Sequence, residues 1–496
     1  MSGHIPRVIL LSVCLLLAPL TAHSSMLWYD SSSDMVTERA LGLYAAVLLA
    51  QHHAIETEDL KLTLQRADSI DEVDAAHTRV LDQLITRFSL GQLPTSIDPL
   101  WDHPEPDFDL IKLRHEILSA PALLPALEVL LPRHSDYQAL VDLYHKQPST
   151  QTEPDKLEFR GFFKPGQVHQ DIRLVRERLS WLGYPALDAV SELVPRLYDD
   201  LLVEQIRKFQ GDHGLDTDAI IGPQTLRWLN YSAGDRRALI AAVLERWRWL
   251  PRELGEEYLL VSIPGFEVRY FDRGELIESH ISISGRPSRP TRSFVAQLEQ
   301  FVINPDWTVP RRILMRDLVP KILADPNYLT QQGMQAERLF GDRWQAVEND
   351  EINWAAISWD DKDVRLVQAP GEKNALGQIK FHMPNSHAIY LHDTPSKELF
   401  ADASRAFSSG CIRVEGVTEL AKRLMHGDIE QLELSLAQTE TRWLRLPKPI
   451  PVYLFYNRAW VDSNGRLQLR DDVYDADRQF FARSRIKLNN SQLAER

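Results

Sequence analysis

The apolar residues of this 496-residue chain change their spacing near residue 257. Before that point, segments such as ERALGLYAAVLLAQHH and DEVDAAHTRVLDQLITRF place them every three or four positions, the period of an amphipathic helix. After it, short runs rich in β-branched and aromatic residues, such as EYLLVSIP and HAIYLH, are punctuated by Gly and Pro. The pattern therefore predicts a multidomain α+β protein with a helical N-terminal region (26–150) and a β-rich domain (240–460).

Residues 1–25 indicate an exported protein. Arg7 precedes an apolar run at 8–20, and small or polar residues follow it. This is the layout of a secretory signal peptide, and the run is too short to span a bilayer comfortably. Cys14 follows Val13, where a lipidation signal requires a small residue, so a lipid anchor is disfavoured. We expect the leader to be cleaved, with an uncleaved membrane anchor as the alternative.

The composition excludes some partners. A net charge of −14 argues against binding to nucleic acid or to an anionic membrane surface. Hydrophobic residues make up 44% of the chain and 12 residues are tryptophan, which predicts well-filled cores. His52 and His53 are adjacent, but no further His or Cys stands at ligand spacing, so a helix surface is preferred over a metal site. We expect neither a metal nor a cofactor.

The middle of the chain predicts a small helical unit at 165–231, preceded by a polar linker at 147–165. A first helix in VHQDIRLVRERLSWLGY ends at Gly183, and a second in LYDDLLVEQIRKFQGDHGL ends near Gly214. A third starts at Pro223, because proline suits the first turn of a helix.

The β-rich domain contains a long interruption at 305–377, which is rich in Trp, Asp and Pro. Such a length inside a β-domain predicts a subdomain or a lid over a functional site. Residues 461–496 are expected to form a C-terminal hairpin and tail, because Asn464-Gly465 favours a tight turn.

Cys411, in the segment SSGCIR, would be the single thiol of the mature chain. Exported proteins usually pair their cysteines, so an unpaired one is either buried and inert or reactive. Counting cysteines leaves both interpretations open.

His392 lies at the end of HAIYLHDTP. Strand alternation places Ala388, Tyr390 and His392 on one face and Ile389 and Leu391 on the core face. An imidazole titrates near neutral pH and can take a proton from a thiol. An imidazolium beside the thiol would also lower the thiol pKa.

Several motifs in the right order resemble the YkuD-type L,D-transpeptidase catalytic domain. His392-Asp393-Thr394 resembles the family's His-Gly-Thr, and SSGCIR resembles its Ser-His-Gly-Cys-x-Asn/Arg. Three flanking segments also match: NPDWTVP (304–310), GRPSRPT (285–291) and PGEKNALGQIKFHMPN (370–385). Asp393 stands where the family has glycine, and Ser409 stands where it has a second histidine.

The resemblance implies a Cys411 nucleophile and a His392 base, oriented by a backbone carbonyl near Asp393. Backbone N–H groups near Gly410 and Cys411 are expected to form the oxyanion hole, with Ser409 alongside.

Tyr390 is expected to line the site. Arg413 is expected to bind a stem carboxylate, with a structural salt bridge as the alternative.

The unit at 165–231 resembles the peptidoglycan-binding type 1 domain, except that Ala219 stands where that family usually has glycine. The three-part order is similar to that of large proteobacterial L,D-transpeptidases. It implies a periplasmic monomer acting on peptidoglycan tetrapeptide stems, susceptible to carbapenems and with cell-wall synthesis proteins as further partners. The reaction implied is a 3→3 cross-link formed through a cysteine thioester. The sequence does not choose among acceptors, which include a stem amine, a lipoprotein, water and a free D-amino acid, and a non-catalytic peptidoglycan-binding scaffold is a further alternative.

Overall fold

The computed structural model describes residues 27–30, 33, 35–67, 69–148, 150–187 and 192–484. The predicted leader at 1–25 lies outside these residues. Among those described, no helix has the length and apolar character needed to cross a membrane.

The N-terminal region is helical, as its apolar period predicts. Side chains of Thr37 and Ser69 cap two of the helices by accepting hydrogen bonds from backbone N–H groups. Leucine, alanine and valine side chains on the inward faces of the helices form a separate hydrophobic core. The helices are α1 (Glu38–His52), α2 (Glu58–Gln65), α3 (Ile70–Leu90), α4 (Leu110–Ser119), α5 (Leu123–Glu128) and α6 (Ser135–Lys146), and a short hairpin of β1 (Tyr29–Asp30) and β2 (Met35–Val36) precedes them.

The prediction that His52 and His53 lie on a helix surface is wrong for one of them. His52 is exposed at the end of α1, but His53 is buried and its Nδ1 lies 3.0 Å from the Tyr137 hydroxyl. Burial, followed by the charge of Arg248, lowers the pKa of His53 to about 3. His53 therefore belongs to the packing between α1 and α6.

The predicted helical unit contains α7 (Ile172–Trp181), α8 (Asp200–Asp212) and α9 (Pro223–Leu229), with proline in the first turn of α9 as expected. The predicted linker at 147–165 is partly packed against this unit, because Leu157 and Phe163 are buried in its core. Ala219 has a φ of 61°, a left-handed conformation that favours glycine. Two hydrogen bonds hold it there: its N–H donates to Gln210, and its carbonyl accepts from Tyr198.

A buried helix, α10 (Ala233–Trp249), connects the units. Its residues are buried on nearly every side, so no amphipathic period marks it in the sequence. Arg246 forms ion pairs with Asp98 of the N-terminal region at 2.7 Å and with Asp477 near the C-terminus at 2.6 Å. The helix therefore joins three parts of the chain through charged groups that are shielded from water.

The β-rich domain is a closed barrel. Nine strands are hydrogen-bonded in the order β13-β5-β14-β12-β11-β6-β15-β3-β4, and a further pairing of β4 with β5 closes a ring of eight, with β13 attached to the end of β5. The strands are β3 (Glu257–Ser262), β4 (Glu267–Asp272), β5 (Glu275–Gly285), β6 (Phe294–Ile303), β11 (Ile379–His382), β12 (Leu391–His392), β13 (Ala406–Ser408), β14 (Ile412–Val414) and β15 (Arg442–Phe455). Helices α14 (Val417–Leu424) and α15 (Ile429–Leu436) follow β14 and contribute leucines to the barrel core.

The interruption is a small subdomain with its own core. Its sheet has the order β7-β10-β8-β9. The side chain of Asn374 connects the two ends of the insertion. Its amide donates hydrogen bonds to the carbonyls of Pro305 at one end and of Gln368 and Ala369 at the other. The elements are β7 (Trp307–Thr308), β8 (Met334–Phe340), β9 (Arg343–Val347), β10 (Val364–Gln368), α11 (Arg311–Ile313), a π-helix (Leu314–Leu318), α12 (Val319–Ala324) and α13 (Tyr328–Gln331).

The hairpin predicted around Asn464-Gly465 joins β16 (Ala459–Val461) to β17 (Leu467–Leu469), and α16 (Ala476–Arg483) follows. The hairpin packs against the three-helix unit. Arg227 pairs with Asp471, and Asp212 accepts from Gln468 at 3.0 Å. The two units therefore share one continuous core.

Candidate active site

The turn between β13 and β14 presents Cys411 at the start of a strand. Gly410 has a φ of 125°, which side-chain-bearing residues rarely adopt. Ser408 braces this turn, because its hydroxyl donates to the Cys411 carbonyl at 2.6 Å and accepts from the Gly410 N–H at 3.0 Å. The sequence Ser-x-Gly-Cys thus fixes the backbone that carries the thiol.

Thr291 supports the same turn from the opposite side. Its hydroxyl donates to the Gly410 carbonyl at 2.8 Å and accepts from the Gly285 N–H at 2.9 Å. A Cβ on Gly285 would lie 2.2 Å from the Arg289 carbonyl oxygen, so only glycine fits there. The motif at 285–291 is therefore a tight loop that buttresses the nucleophile segment.

His392 is buried, with 4% of its surface exposed. Its Nδ1 donates to the backbone carbonyl of Asp393, which is the orienting contact expected from the resemblance. A carbonyl oxygen can only accept, so Nδ1 carries the proton and Nε2 is left as a base. Burial, and next the charge of Arg413, lower the pKa of His392 to about 3.

The strand register brings the predicted residues onto one face of the barrel. Strands β12 and β14 run parallel, with His392 paired to Arg413, and the Tyr390 carbonyl accepts from the Ile412 N–H at 3.0 Å. The rings of Tyr390 and His392 lie 5.4 Å apart. Cys411 directly precedes this pairing, so the thiol, the phenol, the imidazole and the guanidinium share a neighbourhood.

The predicted alternation does not extend to Ala388. Strand β12 contains two residues only, and Ala388 adopts a left-handed φ of 53°. This bend turns its carbonyl toward the nucleophile, whose Sγ lies 3.8 Å away. Ile389 and Leu391 are buried, as the alternation predicted.

The thiol of Cys411 is half-buried, and burial raises its pKa. Hydrogen bonds from Tyr390 and the charges of Lys380 and Arg413 act in the opposite direction without overcoming burial. The expectation that an imidazolium lowers the thiol pKa is therefore wrong for this resting site, because the imidazole is neutral. The site holds a neutral thiol and a neutral base.

Two cations flank the site without carboxylate partners in the described part of the chain. Arg413 forms no ion pair there, and its Nε is buried without an acceptor, which argues against the structural salt bridge. Lys380 lies with its Nζ 4.3 Å from the Tyr390 ring centre, and burial lowers its pKa. Sequence reasoning missed Lys380, although the alternation in QIKFHM places it opposite the buried Phe381.

The two residues that depart from the family pattern point away from the thiol. The Asp393 carboxylate accepts from the Gln378 N–H at 3.0 Å and pairs with Lys397. The Ser409 hydroxyl accepts from Arg289 at 2.8 Å. Neither side chain replaces the groups that contact the nucleophile.

One of the two expected oxyanion donors, the Gly410 N–H, already has a partner. It donates to the Ser408 hydroxyl. The Cys411 N–H donates to no group in the described residues and remains the candidate on this segment. No group of three described His, Cys, Asp or Glu side chains is placed to hold a metal ion.

Three protein-family models match parts of this chain. Residues 256–434 match the model of the "L,D-transpeptidase catalytic domain", known as YkuD. The greater part of the barrel therefore resembles an L,D-transpeptidase catalytic domain. Residues 168–229 match a "Putative peptidoglycan binding domain", and residues 21–143 match a "Scaffold domain".

Individual proteins resemble parts of this chain. A "Putative L,D-transpeptidase" of Haemophilus influenzae is 39% identical over 225 residues, which cover 45% of this chain and 45% of that protein. The match therefore spans less than half the length of this relative.

Two solved structures show weaker likeness. An L,D-transpeptidase from Mycobacterium smegmatis is 11% identical with a TM-score of 0.21, covering 40% of this chain and 58% of that one. An L,D-transpeptidase (residues 123–326) from Xylanimonas cellulosilytica is 13% identical with a TM-score of 0.18. The match covers 60% of this chain and 100% of that one. Scores this low do not establish a shared fold.

Proposed function

We propose that the chain is a peptidoglycan L,D-transpeptidase that forms 3→3 cross-links through a thioester on Cys411. The observation that carries this proposal is the position of Cys411 and His392 on one face of the barrel, between two cations that have no carboxylate partner among the described residues. Such a site suits an acyl donor that carries several carboxylates, as a peptidoglycan stem does.

The first half-reaction is acylation. The His392 Nε2 accepts the thiol proton as Sγ attacks the carbonyl at the L-centre of diaminopimelate in a tetrapeptide donor. The Cys411 N–H stabilises the oxyanion of the tetrahedral intermediate. The imidazolium then returns its proton to the departing D-Ala amine, and a thioester remains.

The second half-reaction transfers the acyl group. The side-chain amine of diaminopimelate in another stem attacks the thioester and loses a proton to His392. The intermediate collapses with cleavage of the carbon–sulfur bond, and the thiolate recovers its proton. The products are a new amide between two diaminopimelate residues and free enzyme.

The two flanking cations bind carboxylates of the substrate, and Arg413 also controls the basicity of His392. Arg413 suits two-point binding of a carboxylate next to the scissile amide, and Lys380 suits a second carboxylate of the stem. The charge of Arg413 lowers the pKa of His392 in the free site. A bound carboxylate offsets that charge, so the imidazole becomes a stronger base when substrate is present. Tyr390 forms the wall between the two cations.

The other parts of the chain fit the same task. The unit at 168–229 holds the enzyme on the cell wall, and the insertion at 305–377 covers the thioester until an acceptor arrives. Both substrates are wall fragments, so the enzyme acts outside the cytoplasm, in the periplasm.

Purified disaccharide tetrapeptide and intact sacculi test the proposal, with products identified by mass spectrometry after digestion. Wild-type protein should release D-Ala and form 3→3 dimers, and Cys411→Ala and Cys411→Ser should form none while keeping their thermal unfolding profiles. His392→Ala should lower the rate by roughly 10²–10⁴. A carbapenem should add its mass to Cys411 in the wild type only.

The alternatives give different products from the same samples. Tripeptide without dimers indicates hydrolysis, exchanged termini indicate a D-amino-acid acceptor, and a lipoprotein fragment on a stem indicates anchoring. A wild-type protein that binds sacculi but releases no D-Ala would make the non-catalytic scaffold the better account.

A further inference from the structure

A row of side chains crosses five neighbouring strands of the barrel. In register, Arg413 pairs with His392, His392 with Lys380, Lys380 with Val302, and Val302 with Trp443. Directly opposed residues in neighbouring strands project from the same face of a sheet. The row therefore starts beside the candidate nucleophile and ends at Trp443 on β15.

This row lies on the outer face of the barrel. The residues that alternate with it form a second row in register, and all of them are buried in the barrel core: Ile412, Leu391, Phe381, Phe301 and Leu444. Successive residues of a strand point to opposite faces. Trp443 thus shares the catalytic face and does not belong to the core.

Trp443 is unusually open for its size, with 55% of its surface exposed. The His382 ring approaches it edge-on, with ring centres 5.1 Å apart. Its indole N–H donates to no acceptor in the described residues. Single exposed apolar side chains are common on protein surfaces, but this one stands at the end of a row that begins in the active site.

The distance along the row matches the length of a peptide stem. Neighbouring strands lie about 4.8 Å apart, so the three steps from His392 to Trp443 span about 14 Å. The stem carries three residues between its sugar and the reacting carbonyl, and three extended residues span about 10–11 Å. The γ-linkage of D-Glu and the lactyl ether lengthen this reach by a few ångström. A stem acylated on Cys411 and extended along the row would bring its sugar to Trp443.

We propose that Trp443 is a binding site for the N-acetylated sugar that carries the donor stem. This inference rests on the proposed function. The indole face stacks on the apolar C–H face of a hexose, and the free N–H bonds an acetamido or hydroxyl oxygen. Lys380 lies between the two ends of the stem and faces its carboxylates. The site thereby favours donors that are still attached to glycan over free peptides.

Two donors test the proposal: a disaccharide tetrapeptide and the same tetrapeptide without sugars. D-Ala release is measured for the full chain, for Trp443→Ala and for Trp443→Phe. Trp443→Ala should lower kcat/KM about tenfold for the disaccharide donor, mainly through KM, and leave the free tetrapeptide unchanged. Trp443→Phe should retain most of the preference. Leu434→Ala is the control, because Leu434 is 59% exposed on α15 and lies outside the row.

The outcomes separate the two proposals. Active wild-type protein whose preference between the donors survives Trp443→Ala overturns the sugar site and leaves the transpeptidase intact. Equal losses on both donors also overturn it, and would assign Trp443 to the packing of the site. D-Ala release that is unaffected while dimer formation falls would move the sugar to the acceptor and overturn the donor assignment. Wild-type protein inactive on both donors would overturn both proposals.

Discussion

Arg289 and Asp317 form a two-point ion pair that ties the insertion to the segment carrying the nucleophile. One arm of the pair measures 2.7 Å, and the same guanidinium donates to the Ser409 hydroxyl at 2.8 Å. Arg289 is 5% exposed, and its hydrogen bonds hold the pKa of Asp317 below the ordinary value for a carboxyl group. The position of the insertion is thereby coupled to the turn that precedes Cys411.

The first prediction concerns Asp317→Asn, which keeps the size of the side chain and removes its charge. We expect the π-helix and its neighbours to separate from the 285–291 loop more often, so that water reaches the thioester. Amide hydrogen exchange at 311–324 should speed up, and the ratio of hydrolysis to cross-linking should rise several-fold.

Asp342→Asn is the control for this change, because Asp342 is exposed at the far hairpin of the insertion. It should match the wild type in both measurements. If Asp317→Asn also keeps the wild-type exchange rates and product ratio, the ion pair does not hold a cover in place.

The second prediction concerns the pH dependence of kcat/KM. The pKa of His392 is lowered to about 3 and that of Cys411 is raised, so neither group titrates between pH 5 and 8 in the free enzyme. Wild-type kcat/KM should therefore be nearly flat over that range, and activity should fall only as pH approaches 3 and the base becomes protonated. Arg413→Gln removes the charge that lowers the pKa of His392, so its acid limb should move to higher pH.

The matched control for Arg413→Gln is Arg442→Gln, an exposed arginine on β15 that faces away from the site. Its profile should overlay that of the wild type. An acid limb that stays in place in Arg413→Gln would mean that another group is the base.

The third prediction tests the electrostatic role of Lys380. Its charge lowers the pKa of Cys411, so Lys380→Met should raise that pKa and reduce the thiolate population at a given pH. Each unit of pKa change alters that population about tenfold. We expect the rate of iodoacetamide alkylation at Cys411, followed by peptide mass spectrometry at pH 7.5, to fall several-fold. Lys362→Met, at an exposed site in the insertion, should leave the alkylation rate unchanged. Equal rates in the two variants would show that Lys380 does not influence the Cys411 thiol.

The fourth prediction concerns the left-handed Ala219. A non-glycine residue costs roughly 1–2 kcal/mol in this conformation, and glycine loses part of that advantage through its larger unfolded-state entropy. Ala219→Gly should therefore increase the free energy of unfolding by about 0.5–1 kcal/mol. Ala238→Gly, inside α10, should lower it by about 1 kcal/mol. A loss of stability in Ala219→Gly, measured by denaturant titration, would show that its methyl group contributes more by packing than it costs in strain.

The sequence predicted local structure well where one face of an element meets water. The N-terminal helices, the proline start of α9 and the hairpin around Asn464-Gly465 all follow from period and turn chemistry. The helix α10 was missed because it is buried on nearly all sides and therefore has no apolar period. The closure of the barrel was also out of reach, since pairing between strands depends on packing throughout the domain.

Some features of the candidate site are signalled by the sequence, and others depend on contacts between distant segments. The resemblance to family motifs pointed to Cys411 and His392 as candidates, and alternation could have pointed to Lys380. Arg289 bonds both Ser409 and Asp317 and so joins three distant segments, which no local pattern signals. The neutral state of His392 could not be predicted either, because it results from burial and from the proximity of Arg413.

Strands β6 and β11 pair directly where the insertion leaves and re-enters the barrel, with Ile303 opposite Ile379. In topological terms the whole subdomain occupies the place of a hairpin turn. Lys380 follows Ile379 in β11, so its pairing with His392 lies inside the barrel. That pairing does not depend on which residues form the insertion. Lineages could therefore exchange, shrink or enlarge this module while the pairing of Lys380 with His392 is kept. Its link to the Cys411 turn would change with it, which makes the module a natural place for substrate range to diverge and a graft point for engineering.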